Sequence, residues 1–455
     1  MRLLALIPPG TNSRCQYLEL LRGAQLAGHQ VFFEEVTLFL VEHQRRQAAK
    51  VAPQVLNDFR NAYARYLESV ARARRADALF TIWLDPLTLL PWVEAGTGAQ
   101  RRPASFLEVL NLPCYHWWLD APFWAYEGRA VDLLASGRCR PALHRHIINN
   151  PATAEEMRRV LALERVIAQP YGVDTATFRP WPVEPEFDLT INAGPGDAPP
   201  TPLMLEQLRK DDPDTAAVRR DQAHRARPAL VSTLRASRIA DDHASDTLAD
   251  AWLSAQLSNP DRAMTEKFDL ALAAAPGAAP FAALASPAHA AAWTSATAAL
   301  RTIESWQRAF ISTWLSQRCR CLLIGAIAQD WTPKGWPIKG ESAGNVAYHE
   351  LSLLHSRAKV GLNVMRYQDD AGLNPKALEV AASGTPLLQR RRLGFESTFE
   401  DTREAFAFDT PAQALETLRA LLADPDRRRA VSQAALARIH AEHTWEHKSA
   451  RLLAE

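Results

Sequence analysis

The run "GLNPKALEVAASGTPLLQ", residues 372–389, puts an amide, a proline, an amine and a carboxylate within two turns of one short helix. Asn374 stands where an N-cap belongs, Pro375 takes the first helical position, and Gly372 and Leu373 lead in from a strand through a tight turn. A helix start of this kind presents unpaired N–H groups and a partial positive charge, which suits a phosphate or diphosphate, and Lys376 adds a full charge at the same end. Glu379 follows on the next turn, and its carboxylate can accept two hydroxyl hydrogen bonds from a diol such as a ribose. A solvated Glu favoured by the helix dipole explains Glu379 equally well.

A second cluster, "YHWWLDAPFW" at 115–124, packs three Trp, a His and an Asp into one strand and the turn after it. Asp120, just beyond the strand, is the first candidate for a general base and His116 the second, either serving if it comes within about 3 Å of a reacting hydroxyl. Trp118 has two readings, a face on which a sugar or base stacks and a packing residue. Three further sets complete the candidates. Thr11, Asn12 and Ser13 follow the first strand, where open α/β sheets hold ligands, although a polar strand-to-helix turn looks the same. Gly194 and Gly196 flank a proline after a later strand and allow a phosphate to approach the backbone. Tyr348, in "GNVAYHEL" (344–351), is a further ligand candidate that also reads as a packed helix-start residue, and Arg366, after "VGLNVM" (360–365), could reach a diphosphate or equally stand as a solvated loop charge.

Those residues need a frame, and the chain provides strand-like runs alternating with helical patterns from its start. The runs at 2–7, 29–36, 77–84, 112–118, 145–150 and 165–170 form one series, with a long helical stretch at about 42–75. Those at 188–197, 319–328, 358–365, 385–389 and 405–408 form another. Alternation of this sort predicts parallel sheets covered by helices on both faces. A chain of 455 residues exceeds one ordinary core, and the proline-rich "YGVDTATFRPWPVEPEF" (171–187) supplies the connection between two domains. The reading is an N-terminal domain over 1–184 and a C-terminal domain over 185–442. Between about 198 and 312 no convincing strand occurs, only Ala, Arg and Asp at helical spacing, which predicts a helical insertion folded against the C-terminal domain and serving acceptor selection.

Composition narrows the function classes. With 52 Lys+Arg against 51 Asp+Glu the net charge is +1, which gives no general attraction to nucleic acid or to acidic membranes. The opening apolar run breaks at Pro8-Pro9-Gly10, too short for a signal sequence or a membrane span, so the expected location is the cytoplasm. Cys15, Cys114, Cys139, Cys319 and Cys321 are scattered and read as structural; no zinc pattern emerges. The adjacent Asp369 and Asp370 make no D-x-D, and no obligatory metal or cofactor is expected.

The run at 372–388 resembles the donor-site helix of GT-B glycosyltransferases, in particular the CgeB-like (spore maturation protein type) group related to glycosyltransferase family 4. "YGVDTATFRP", "ELSLLHSRAKVGLNVMR" (350–366), "LPCYHWWLDAP" and the tail "LLADPDRRRAVSQAALARIHAEHTWEHKSARLL" resemble further segments of that family, in the same order. The resemblance implies two Rossmann-like domains facing a cleft, a nucleotide sugar on the C-terminal domain, an acceptor on the N-terminal one, and a last helix at 443–455 crossing back to the first domain. It implies that Glu379 binds the donor ribose, with Asn374, Pro375 and Lys376 forming the phosphate-facing helix start. Two positions depart from its pattern. Ala371 stands eight residues before Glu379, where family 4 members often carry an acid, and Lys376 replaces the Arg common in the CgeB-like group. The expected activity is transfer of a sugar from a nucleoside diphosphate sugar to a protein, glycan or other hydroxyl. The alternatives are a catalytically inert GT-B scaffold and a nucleotide-sugar epimerase.

Overall fold

The structure is a computed structural model that describes residues 1–7, 12–82, 93–95, 102–104, 111–124, 129–135, 143–196, 198–325, 330–367 and 371–454. Thr11, Asp369 and Asp370 lie outside the described residues, as do the side chains of Asn12, of 93–95, of 102–104 and of Arg129. The chain divides into two compact units, one of residues 1–169, 286–291 and 445–455, the other of 170–285 and 292–444. The boundary therefore precedes the proline-rich segment at 171–187, where the sequence reading had placed it near residue 184.

The first unit is built on a six-stranded parallel sheet in the order β2-β1-β3-β6-β7-β8. Its strands are β1 (Arg2–Ile7), β2 (Gln30–Glu35), β3 (Ala78–Ile82), β6 (Cys114–Trp118), β7 (His144–Ile148) and β8 (Val166–Ala168). Continuous apolar runs such as Leu3 to Ile7, buried throughout, are what a parallel strand covered on both faces requires. A short antiparallel pair, β4 (Val93–Ala95) and β5 (Arg102–Ala104), stands outside this sheet and was not expected. After α1 (Asn12–Leu26), the helical stretch expected at about 42–75 is two helices, α2 (Thr37–Ala48) and α3 (Pro53–Arg74). Lys50 has a left-handed φ of 51° and Pro53 fits only a first turn, so the backbone must restart between them. Helices α4 (Arg129–Ala135) and α5 (Pro151–Leu161) complete the layer, the latter capped by Asn150, whose side chain accepts from Thr153 N at 2.7 Å.

In the second unit six parallel strands run in the order β11-β10-β9-β12-β13-β14. They are β9 (Phe187–Ile191), β10 (Cys321–Ile324), β11 (Glu341–Gly344), β12 (Ala358–Asn363), β13 (Leu387–Arg390) and β14 (Phe406–Phe408). The insertion holds helices and no strand among its described residues, with α6 (Pro202–Gln207), α7 (Thr215–Ala236), α8 (Asp242–Ser258), α9 (Met264–Ala274), α10 (Ala290–Thr302) and α11 (Gln307–Ser316). Trp252, Phe268 and Trp293 pack ring to ring at 4.7–5.6 Å as its own small core. Trp306, Phe310 and Trp314 instead join the core of the sheet, beside Leu323, Val360 and Leu388. Nearly all of the insertion thus folds with the second unit, residues 286–291 alone being counted with the first.

The remaining helices are α12 (Leu351–Ser356), α13 (Pro375–Ala382), α14 (Pro411–Ala423), α15 (Pro425–Arg438) and α16 (Trp445–Leu452). Close packing of α13 on β12 needs Gly361, where a Cβ would stand 2.5 Å from Val380 Cγ1. Helix α16 belongs to the first unit and lies against α1, with Gly23 admitting the backbone of Trp445 and Ser449 Oγ donating to Leu20 O at 3.1 Å.

Candidate functional site

Open α/β sheets hold ligands beyond the carboxyl ends of their strands, at the point where strand order reverses. In the second sheet that point falls between β9 and β12, because β10 and β11 lie to one side and β13 and β14 to the other. The segment after β9 carries Gly194 and Gly196, and the one after β12 carries Arg366. These two segments meet at a cavity of about 370 Å³, which Ser305, Arg308, Asp330 and Lys334 also line. Gly196 has φ of 80°, a conformation suited to glycine. Lys334 Nζ donates to the Gly196 carbonyl and Lys376 Nζ to the Asn192 carbonyl at 2.7 Å, so two ammonium groups pin the turn.

The charge of this crown is positive. Burial, with Arg308 and Arg366 close by, pulls the Lys376 pKa down to about 8, against the opposing pull of Glu379. Cations that depress one another in this way gain by sharing an anion.

Helix α13 begins at the predicted place, but its cap works differently from the expectation. Asn374 has N-cap backbone geometry and makes no side-chain cap. Its Oδ1 accepts instead from Asn363 Nδ2 at 2.9 Å, and the same Nδ2 donates to Gln389 Oε1 at 2.7 Å. The first amides of α13, behind Pro375, are therefore taken by no capping side chain, which suits a helix start that receives an anion. Gly372 enters the turn with φ of 78°, and Leu373 is buried beneath it. Glu379 is buried too, and Tyr348 donates its hydroxyl hydrogen to Oε1 at 3.0 Å. The edge of Phe178 supports Tyr348 at 5.3 Å. Two residues singled out separately in the sequence are thus one unit.

The first unit treats its candidates less uniformly. Asp120 stands two residues beyond β6, half-buried in a bend. His116 is fully buried, its Nε2 paired with His144 Nδ1 at 2.8 Å and its ring stacked on His144 and His146 at 4.9 and 5.1 Å. Trp118 is also fully buried and donates Nε1–H to His146 Nδ1 at 3.0 Å. Strand periodicity explains both outcomes, because alternate residues of β6 share one face and that face is filled by β7. His116 and Trp118 thus serve the sheet; they are not presented as a base and a stacking platform. Ser13 is half-buried in the first turn of α1, which Asn12 opens.

Sequence reasoning missed Ser305, Arg308 and Lys334. Arg308 lies in the first turn of a helix whose pattern reads as packing, and both it and Ser305 belong to the insertion, whose sequence suggests acceptor selection. Lys334 sits in a single 3₁₀ turn, Thr332–Lys334, which no periodicity betrays.

Residues 301–454 match the model of a family described as glycosyl transferase-like. No curated protein matches the chain. Among solved structures, sucrose-phosphate synthase from Thermosynechococcus elongatus is 10% identical, with 100% of this chain and 98% of that one covered and a TM-score of 0.50. Anabaena HepE in complex with UDP and glucose is 9% identical, covering 100% and 98%, with a TM-score of 0.49. The T4 phage β-glucosyltransferase is 9% identical, covering 100% and 98%, with a TM-score of 0.47. At such identity the likeness to the synthase is one of fold. The chain thus carries two six-stranded parallel sheets in a GT-B fold, and its residues 301–454 are similar to a glycosyl transferase-like family.

Proposed function

We propose that the chain transfers a sugar from a nucleoside diphosphate sugar to a hydroxyl of a protein, glycan or other acceptor. The observation that carries this reading is the positively charged cavity at the reversal point of the second sheet, lined by Arg308, Lys334 and Arg366 beside the Gly194–Gly196 turn, with Lys376 close by. A diphosphate there meets side-chain cations, a glycine turn and the open start of α13. Glu379, oriented by Tyr348, receives the ribose hydroxyls.

In the chemical step the acceptor oxygen bonds to the anomeric carbon while the bond from that carbon to the diphosphate oxygen breaks. The nucleoside diphosphate leaves with the electron pair, and its growing charge falls to Arg308, Lys334, Arg366 and Lys376. We assign the acceptor proton to Asp120, the half-buried carboxylate after β6, in a reaction that inverts configuration. Because side-chain cations carry the leaving group's charge, the reaction is proposed to need no metal. Membership of the CgeB-like group rests on the motifs at 112–122, 171–180, 350–366 and 372–388. Among the described residues no helix is long and apolar enough to cross a membrane. A cytoplasmic location is part of the same proposal.

The test is nucleoside diphosphate release from a panel of nucleotide sugars, with and without cell extract as acceptor source. Release that the extract accelerates supports transfer. Nucleotide binding without turnover on every donor would favour an inert scaffold.

A further inference from the structure

Arg390 closes strand β13, Arg391 and Arg392 follow it directly, and the third differs from its neighbours. Arg390 lies 3.6 Å from Asp261 and 3.4 Å from Asp409. Arg391 holds Glu396 and Asp401 at 2.7 Å and Asp409 at 3.3 Å. Arg392 is only 4% exposed, yet its Nε and Nη2 have no hydrogen-bond partner among the described residues. A guanidinium keeps its proton at any working pH, and a buried one left unpaired is strongly unfavourable. Its neighbour feels the charge, since Arg392 is one of the groups that lower the pKa of Arg390, after burial itself.

The backbone fixes where this residue stands. Leu393 forms a bridge with Ala371, and the Gly372 N–H donates to Leu393 O at 2.7 Å. A Cβ on Gly394 would come within 3.3 Å of Gly372 N, so the two segments run in close contact. Arg392 therefore lies one residue from the strand-to-helix turn that opens α13. On the reading above, the diphosphate is served by the cavity cations and the ribose by Glu379. The part of the donor without an assigned partner is the sugar, and Ala371, facing Leu393, brings no charge of its own.

We propose that Arg392 is a specificity-determining residue that binds a carboxylate on the transferred sugar, so that the preferred donor is a nucleoside diphosphate uronic acid. A planar guanidinium matches a carboxylate through two parallel N–H···O bonds, and burial strengthens both. The inference rests on the nucleoside diphosphate reading of the site. It adds the chemical class of the sugar.

The experiment is calorimetric titration of the full chain with UDP and GDP, then with the uronate and neutral-hexose conjugates of whichever nucleotide binds. The wild-type protein should hold the uronate conjugate about tenfold or more tighter than the neutral one. Arg392→Ala should erase that preference and leave free nucleotide affinity unchanged, and Arg392→Lys should keep part of it. Equal wild-type affinity for the two conjugates overturns the proposal. So does an Arg392→Ala variant that loses free nucleotide and uronate conjugate in equal measure, which makes Arg392 a diphosphate ligand. Should the variant not fold, the wild-type ratio decides alone. Failure of both free nucleotides to bind would instead strike the reading of the site as a whole.

Discussion

The two sheets of this protein are built alike and finished differently. Each has six parallel strands, but the first reverses order between β1 and β3 and the second between β9 and β12. At the second reversal, glycines and cations surround open space. On the β6–β7 face of the first, His116, His144, His146 and Trp118 fill the room with their own rings. The segments beyond β1 and β3 lie outside the described residues. A shared architecture therefore says little about where chemistry occurs; what distinguishes the two places is whether side chains fill the space themselves or leave it open to a ligand. Tyr348 and Glu379 show a third condition, a half-buried hydroxyl bonded to a buried carboxylate that can exchange this bond for a ribose hydroxyl.

Substitutions sharpen that contrast, and the largest effect is expected at Asp120. Asp120→Asn should lower turnover by about 10²–10⁴-fold with nucleotide affinity unchanged, measured by steady-state release and calorimetry. Parallel loss of both quantities would make Asp120 structural. Next comes Glu379→Ala, which removes a charged hydrogen-bond acceptor and should weaken nucleoside diphosphate binding by about 1.5–3 kcal/mol. Binding of the corresponding free phosphate or diphosphate should stay the same, because no ribose is involved.

A pH series tests the cation cluster. With the Lys376 pKa at about 8, its ammonium is lost as pH rises through that value, so nucleotide affinity should fall above pH 8. Binding at pH 8–9 should take up protons, visible as a dependence of the calorimetric enthalpy on the buffer. Lys376→Met should bind more weakly and flatten the profile.

The histidine stack gives the opposite side of the comparison. Burial, and then His144, hold His146 at a pKa of about 3, below its ordinary value of 6.5. Between those values the unfolded chain binds more protons than the folded one, so stability contributed by this neutral ring rises with pH and is lost on acidification. Unfolding midpoints of the wild type should therefore fall from pH 6.5 toward pH 4, and less steeply in His146→Phe. The smallest effect is at the turn: Gly372→Ala, at φ of 78°, should cost about 1–2 kcal/mol of stability by thermal melting.

How much of this could be read from residues alone follows from the range of the interactions. Strands such as β1, β6 and β12 are legible because burial on both faces favours runs made mostly of apolar and aromatic residues. Strand β11, with the residues Glu-Ser-Ala-Gly at a sheet edge, demands nothing of that kind and escaped notice. The start of α13 was legible because Asn374, Pro375 and Gly372 act locally, whereas the transfer of the Asn374 side chain to Asn363 depends on a neighbouring strand. Arg308 and Lys334 reach the cavity from positions more than a hundred residues along the chain from Gly196, and no local pattern encodes such a meeting. His116 misled for a related reason. A histidine beside an aspartate reads as chemistry until the partner strand supplies His144 and His146.

The central claim, that the reversal point of the second sheet receives a nucleoside diphosphate, is tested most directly by titrating UDP and GDP into the wild-type protein and into Arg308→Ala. Saturable binding of one nucleotide, weakened about tenfold or more in the variant while its melting temperature is unchanged, is the predicted result. Binding of equal strength to both proteins would place the nucleotide elsewhere and contradict the account.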